Sequence, residues 1–477
     1  MFGLKLIATL LFLNSSVAFA AIDADTLWEV RTTGNSNNGC GADQSLLGTD
    51  YTQQDSAQLS LTDLATSGTT VTTLTSATGG FTSAMVGNAI YIHTGTNVTA
   101  GYYIITAHTD TNTVTLDRAP DDGGGGVASG EGSVGGACVH PQDVASSLVA
   151  GNKIYIQDGE YLRQGSNAYV LNTSVAGGSQ DRIMWIGYDT TRGDSPRGSD
   201  RPNFNANSAA ADGIVADESN NYFFNIIVEN ATDDGIDGGS GFFWNVRSTN
   251  NGGYGVEDDA AGFYFGEIDN NTSHGLDCTG SCSVNYTYFH DNGGTGFYGS
   301  DANSSQSGTY NILDTNSGNG TFWSWGSTHG TSGNHHFSIA YNNTLDGFYC
   351  GGGSNTSCTF IGNSSSSNGD EGFVVGGGNS RIFEYNNYYD NVTEVTGITY
   401  ISDTNTGDDN PDYTDPANGD FTVQSGSPLL GSSGFMIDWG DQGLTGTGYN
   451  RVIGATGNDP DAGGGGGSGP SAYTFVQ

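Results

Sequence analysis

Glycine returns at a near-constant interval through the middle of this chain. It stands at positions 213, 235, 255, 275, 296, 320, 347, 372 and 397, in steps of 22, 20, 20, 21, 24, 27, 25 and 25 residues. The residue after each is apolar at Ile214, Ile236, Val256, Leu276, Phe297, Phe348, Phe373 and Ile398, with Thr321 the departure. About five residues before the next glycine comes a small polar residue: Asn230, Asn250, Asn270, Asp291, Thr315, Asn342. A period of roughly 20–25 residues marks a solenoid. The segments between glycines are short, aromatic and β-branched, as in Tyr222-Phe-Phe-Asn-Ile-Ile-Val228, and Gly, Asn, Asp and Ser bound them. No leucine-rich or helical repeat fits. The pattern predicts an all-β chain wound as a parallel β-helix.

On these residues the chain resembles the right-handed parallel β-helix proteins of the pectate-lyase-like superfamily, over most of its length outside one insertion. Lyases, hydrolases, phage tailspikes and adhesins share that fold, so function has to be argued from the site. The run from Leu27 to Gly39 resembles the opening strand of such proteins, which a short capping helix should follow. That helix appears only at His140-Pro-Gln-Asp-Val-Ala-Ser-Ser-Leu148, ahead of Gly151-Asn-Lys-Ile-Tyr-Ile-Gln-Asp-Gly-Glu-Tyr161. Pro141 suits a first helical turn. The expected order is therefore a first strand at 27–40, an inserted β-rich unit at 41–137, and the capped β-helix at 138–455. A glycine-rich linker and short tail strand follow at 456–477. Within the insertion, runs at Val71, Ala89, Tyr102 and Thr113 alternate at period two, predicting a small β-sandwich or barrel, with a hairpin turn at Asp110-Thr-Asn-Thr. His93 and His108 read as surface strand residues.

Residues 1–20 read as a secretory signal: Lys5, an apolar core from Leu6 to Leu13, then Ala18-Phe-Ala20. That core is too short to span a bilayer, and no later stretch approaches the roughly 20 apolar residues a span needs. A secreted or cell-surface protein with no membrane partner follows. The formal charge of −39, from 51 acidic against 12 basic residues, excludes nucleic acid as a partner, because such binding rests on Lys and Arg neutralising phosphates. Six cysteines in an exported chain suggest disulfides. Fifteen pairings are open in principle. Cys278 and Cys350 each stand three residues after a repeat glycine, and short loops lead to Cys282 and Cys358, which favours Cys278–Cys282 and Cys350–Cys358. Cys40–Cys138 is then left to close the neck of the insertion.

With the repeat glycine as position zero, position one points inward and position two outward. Position two reads Val215, Asp237, Glu257, Asp277, Tyr298, Phe322, Tyr349, Val374. Three acids on consecutive coils precede three aromatics, and stacked coils lie about 4.8 Å apart. Carboxylates so close cannot all ionise without a cation or hydrogen bonds between them. A protonated acid beside an ionised one is what glycoside hydrolysis uses, and adjacent coils give about the retaining separation of 5–5.5 Å. Asp237, Glu257 and Asp277 are the candidate catalytic residues, with His274 assisting. Tyr298, Phe322, Trp323, Trp325 and Tyr349 are candidates for stacking on sugars. Asp234, Asp258 and Asp259 are candidates for holding calcium, an ion that oxygen-rich columns bind.

Asp234-Gly-Ile-Asp237 and Ser273-His-Gly275 are faintly similar to elements of β-helix polygalacturonases, but the Arg-x-Lys that holds a substrate carboxylate there has no counterpart; Arg381-Ile-Phe lacks the lysine. Polyuronate lyases need Arg or Lys as base. Between Gly213 and Gly397 the basic residues are Arg247 and Arg381, six coils or about 29 Å apart. A lyase would need the outlying stretch from Arg182 to Arg201, whose Arg192, Arg197 and Arg201 are either a solvated loop or a rim for an anionic glycan. The expectation is a secreted β-helix that recognises an extracellular polysaccharide along the acid and aromatic face, with hydrolysis of it left open. The alternative is a non-catalytic adhesin or self-assembling filament or matrix protein, with self-association through the tail strand at 472–477.

Overall fold

The computed structural model describes residues 24–46, 48–239, 241–258, 262–299, 305–324, 332–352, 357–377, 379–398, 405–407 and 409–429. The expected signal at 1–20, Trp325, Asp259 and the tail at 472–477 lie outside them.

The chain winds as a right-handed parallel β-helix of three sheets, with 12, 11 and 10 strands among the described residues. Each middle coil gives three residues to each sheet, as in Phe242–Trp244 for the first, Arg247–Thr249 for the second and Val256–Asp258 for the third. Aromatics that point inward from the first sheet stack coil on coil: Phe223 on Phe243 at 5.3 Å and Phe243 on Phe263 at 5.6 Å. Thr26–Val30 pairs in parallel with Lys153–Gln157, so the opening strand and the coil expected after the cap are neighbours despite the residues between them. Gly41–Asp43 turns back antiparallel on Thr26–Val30 and still belongs to this sheet. The capping helix is one turn, Gln142–Ala145.

From Leu59 to Val134 six antiparallel strands close into a barrel with its own core of Leu61, Leu64, Leu74, Ile90 and Ile105. Asp110 pairs with Thr113 across the expected hairpin turn. The barrel is seated on the first coil. Tyr102 meets Trp28 edge-on at 5.0 Å, and Arg192 binds Asp50 at 2.8 Å, Glu29 at 2.5 Å and Thr52 at 2.6 Å. Arg201 is also buried and bonded to the Gly198 and Asn245 carbonyls, so two of the three loop arginines hold the fold together.

Three disulfides form: Cys40–Cys138, Cys278–Cys282 and Cys350–Cys358. The first closes a separation of 98 residues, a loop whose closure restricts the unfolded chain by about 4–5 kcal/mol in the chain-entropy account. Replacing both Cys40 and Cys138 by Ser is expected to lower unfolding stability by about 3–5 kcal/mol in urea titration. A loss under about 1 kcal/mol would show that the barrel is held by its ion pairs and ring contacts alone.

The small polar residues five before each glycine adopt left-handed backbone, with φ from 51° to 60° at Asn230, Asn250, Asn270, Asp291, Thr315 and Asn342. Asn tolerates that region better than most residues. The residue after each turn was not singled out from the sequence: Asn251, Asn271, Asn292, Asn316, Asn343, Asn368 and Asn391 form a ladder inside the wall. Each amide nitrogen gives a hydrogen bond to the next amide oxygen at 2.8–3.0 Å. At the far end the glycine rule fails. Val395 and Thr396 pair with Phe373 and Val374, so Glu394 takes the zero position and Gly397 falls past it at φ 73°.

Candidate functional site

The third sheet carries position two in unbroken register: Val215, Asp237, Glu257, Asp277, Tyr298, Phe322, Tyr349 and Val374 pair in turn. Asp237, Glu257 and Asp277 thus stand on one line. A second line runs beside it, one residue before each glycine, where the coils are joined from Gly213 N to Asp234 O, Gly235 N to Tyr254 O and Gly255 N to His274 O. It holds Asp212, Asp234, Tyr254 and His274. Of these, Asp234 and His274 are the residues singled out in the sequence, as a metal and a catalytic candidate. Reading the same offset at every repeat would have found Asp212 and Tyr254.

The two lines interlock. The Asp277 carboxyl is almost wholly buried, and its Oδ1 has no hydrogen-bond partner. Its pKa is raised to about 6, first by burial and then by the Glu257 charge, against a hydrogen bond from the Tyr254 hydroxyl. Asp212 is raised to about 6 as well, by burial foremost and then by Asp237, Asp233 and Glu257. Asp234 lies well above the usual carboxylate range, through burial, the Asp233 charge and a hydrogen bond with Glu257, although the Tyr254 N–H donates to its Oδ1 at 2.6 Å. Protons therefore sit between these acids at mildly acidic pH.

His274 Nδ1 accepts the Thr295 N–H at 2.8 Å. That bond puts its proton on Nε2, and burial lowers its pKa, so the ring is neutral. The ring lies between Tyr254 at 5.6 Å and Tyr298 at 4.4 Å, and the stack continues to Phe322 at 5.3 Å and Tyr349 at 4.5 Å. Ring faces covered by the next ring cannot also take a sugar face, so Phe322 presents an edge rather than a platform. Trp323 corrects the sequence reading outright. It is fully buried and points inward, stacked on His335 at 3.6 Å, because it follows the outward Phe322 on an alternating strand.

Among the described residues the carboxylates whose oxygens gather with Asp234, all within 4.8 Å of one another, are those of Asp212 and Asp233. Asp258 closes its strand in register with Gly238 and Cys278. These three carboxylates could hold a metal ion.

Raised carboxyl pKa values have a consequence for stability. Asp212 and Asp277 hold protons more tightly folded than unfolded, so their contribution is fully present below the unfolded value near pH 4 and lost as pH rises through about 6. The melting temperature is expected to rise on acidification from pH 7.5 to 5.5. Asp277→Asn should flatten that slope; an unchanged slope would show that the group ionises freely.

No protein-family model matches the chain, and no curated protein does. Among solved structures it is similar to pectate lyase Pel9A at 16% identity and TM-score 0.50, over 61% of this chain and 86% of that one. A rhamnogalacturonan lyase matches at 13% identity and TM-score 0.35, over 58% of this chain and 86% of that one. The A-module of the Azotobacter vinelandii mannuronan C-5 epimerase AlgE4 matches at 14% identity and TM-score 0.33, over 56% and 93%. The likeness to Pel9A shows that the chain has the parallel β-helix fold of pectate-lyase-like proteins.

Proposed function

We propose that this protein is an extracellular glycoside hydrolase that binds a polysaccharide along the outer face of the third sheet. The observation that carries the reading is the placement of the buried Asp277, which keeps its proton up to about pH 6, next to Glu257 on the adjacent coil. In this mechanism Asp277 donates its proton to the departing glycosidic oxygen as Glu257 attacks the anomeric carbon, at about the retaining separation that neighbouring coils provide. Water, giving its proton to the Asp277 carboxylate, then displaces Glu257 from the sugar and restores both groups. Tyr254 orients Asp277, and His274 fixes the Tyr254 and Tyr298 rings on either side. Asp237 extends the acidic line by one coil.

Hydrolysis is favoured over β-elimination by the basic groups. Among the described residues the two outer lines of the third sheet hold no Lys or Arg, and Arg247 is bound to Asp269 through two contacts of 2.8 Å on the second sheet. The fold shared with Pel9A supports a polysaccharide as partner, and three disulfides support an oxidising compartment. No helix among the described residues is long and apolar enough to cross a membrane. If calcium binds, Asp212, Asp233 and Asp234 would hold it and supply charge against an anionic sugar substituent. The test is release of reducing ends from a panel of neutral and uronate polysaccharides, with Glu257→Gln alongside. Release by wild type alone supports the reading. Equal release by both, or an unsaturated product from wild type, overturns it.

A further inference from the structure

A second candidate site lies away from the acids, on the outer face of the second sheet near its last coils. Tyr341, Ser366 and Tyr389 pair in register there, so two tyrosines flank a serine across three consecutive coils. The equivalent stretch of the third sheet shows what that slot accommodates. There Phe322 fills the middle coil and stacks on Tyr298 at 5.3 Å and on Tyr349 at 4.5 Å. Replacing the middle ring by serine leaves space for one ring between tyrosines about 9.6 Å apart in the backbone, twice the coil spacing.

The C-terminal hairpin, Tyr413–Asp415 with Asp420–Val423, builds a wall over this slot. Tyr413 stands edge-on to Tyr341 at 6.2 Å and gives its hydroxyl proton to Ser364 Oγ at 2.7 Å. A cavity of about 290 Å³ remains, with Asn410, Asp412 and Gln424 adding polar groups at its rim. Ser366 is buried in the floor, where the Tyr413 hydroxyl reaches it as well as Ser364. None of the lining side chains is Lys or Arg, which disfavours an anion.

We infer that this cavity binds a single neutral sugar residue, its ring between Tyr341 and Tyr389. The site does not depend on the acid column and anchors a glycan without cleaving it. The test is calorimetric titration of the full chain with neutral methyl hexosides and with a methyl hexuronide. A neutral hexoside is expected to bind with millimolar affinity, and Tyr389→Ala to weaken it on the order of ten-fold. Tyr341→Ala, which removes the other flanking ring, should weaken it as well, and Glu257→Gln should leave it unchanged. Melting curves for each variant identify loss of fold. Undiminished binding in both folded pocket variants, binding of the hexuronide only, or no neutral sugar bound at tens of millimolar (about 2–3 kcal/mol of affinity) would each overturn the inference. Loss on Glu257→Gln alone would place the sugar in the acid column instead.

Discussion

Glu257→Gln is expected to lower the rate of glycosidic-bond cleavage by about three orders of magnitude, with KM little changed. The amide keeps the volume of the side chain and a hydrogen bond toward Asp234, so substrate contacts survive while the nucleophilic charge is lost. That charge also helps hold Asp277 protonated. The residual activity of the variant should therefore lose its alkaline limb at lower pH than wild type. In wild type, activity should fall as pH rises through about 6, where Asp277 gives up the proton it donates. Asp277→Asn should lose activity comparably and lose that limb altogether. A Glu257→Gln enzyme keeping more than about a tenth of wild-type kcat would remove the assignment, since loss of acid–base or nucleophilic groups costs at least about a hundred-fold.

A large effect on stability is also expected from the asparagine ladder. Asn316 is fully buried and bonded on both sides. Its oxygen accepts from Asn292 Nδ2 at 2.9 Å and from the Asn292 N–H, and its nitrogen donates to Asn343 Oδ1 at 3.0 Å and to the Phe289 carbonyl. Asn316→Leu would strand several of these groups in the wall, each at a cost of about 1–3 kcal/mol, for a total of about 3–5 kcal/mol. The measurement is the urea midpoint, followed by both tyrosine fluorescence and far-ultraviolet circular dichroism. The coils next to residue 316 should open before the barrel does. A midpoint shift worth less than about 1 kcal/mol would mean that water replaces the lost partners.

The outward column from Asp237 to Tyr349 was legible because a strand alternates with period two and the repeat glycine marks its phase. The same rule places Trp323 inside, and choosing it for its chemistry overrode its position. The ladder was missed for the opposite reason. An asparagine beside a turn is ordinary in sequence and acquires its role only when the next coil brings another within 3 Å. Gly397 misled because the last coil is shorter at its turn, so the glycine there serves a positive φ instead of the repeat.

The period, the phase of the strands and the pairs Cys278–Cys282 and Cys350–Cys358 were determined by the sequence alone, because each rests on local spacing along the chain. Which acids share a proton, which rings cover one another and where a slot stays open were decided only by the tertiary structure. Those properties depend on distances between residues some 20 or more positions apart, and stacking sets them at about 5 Å.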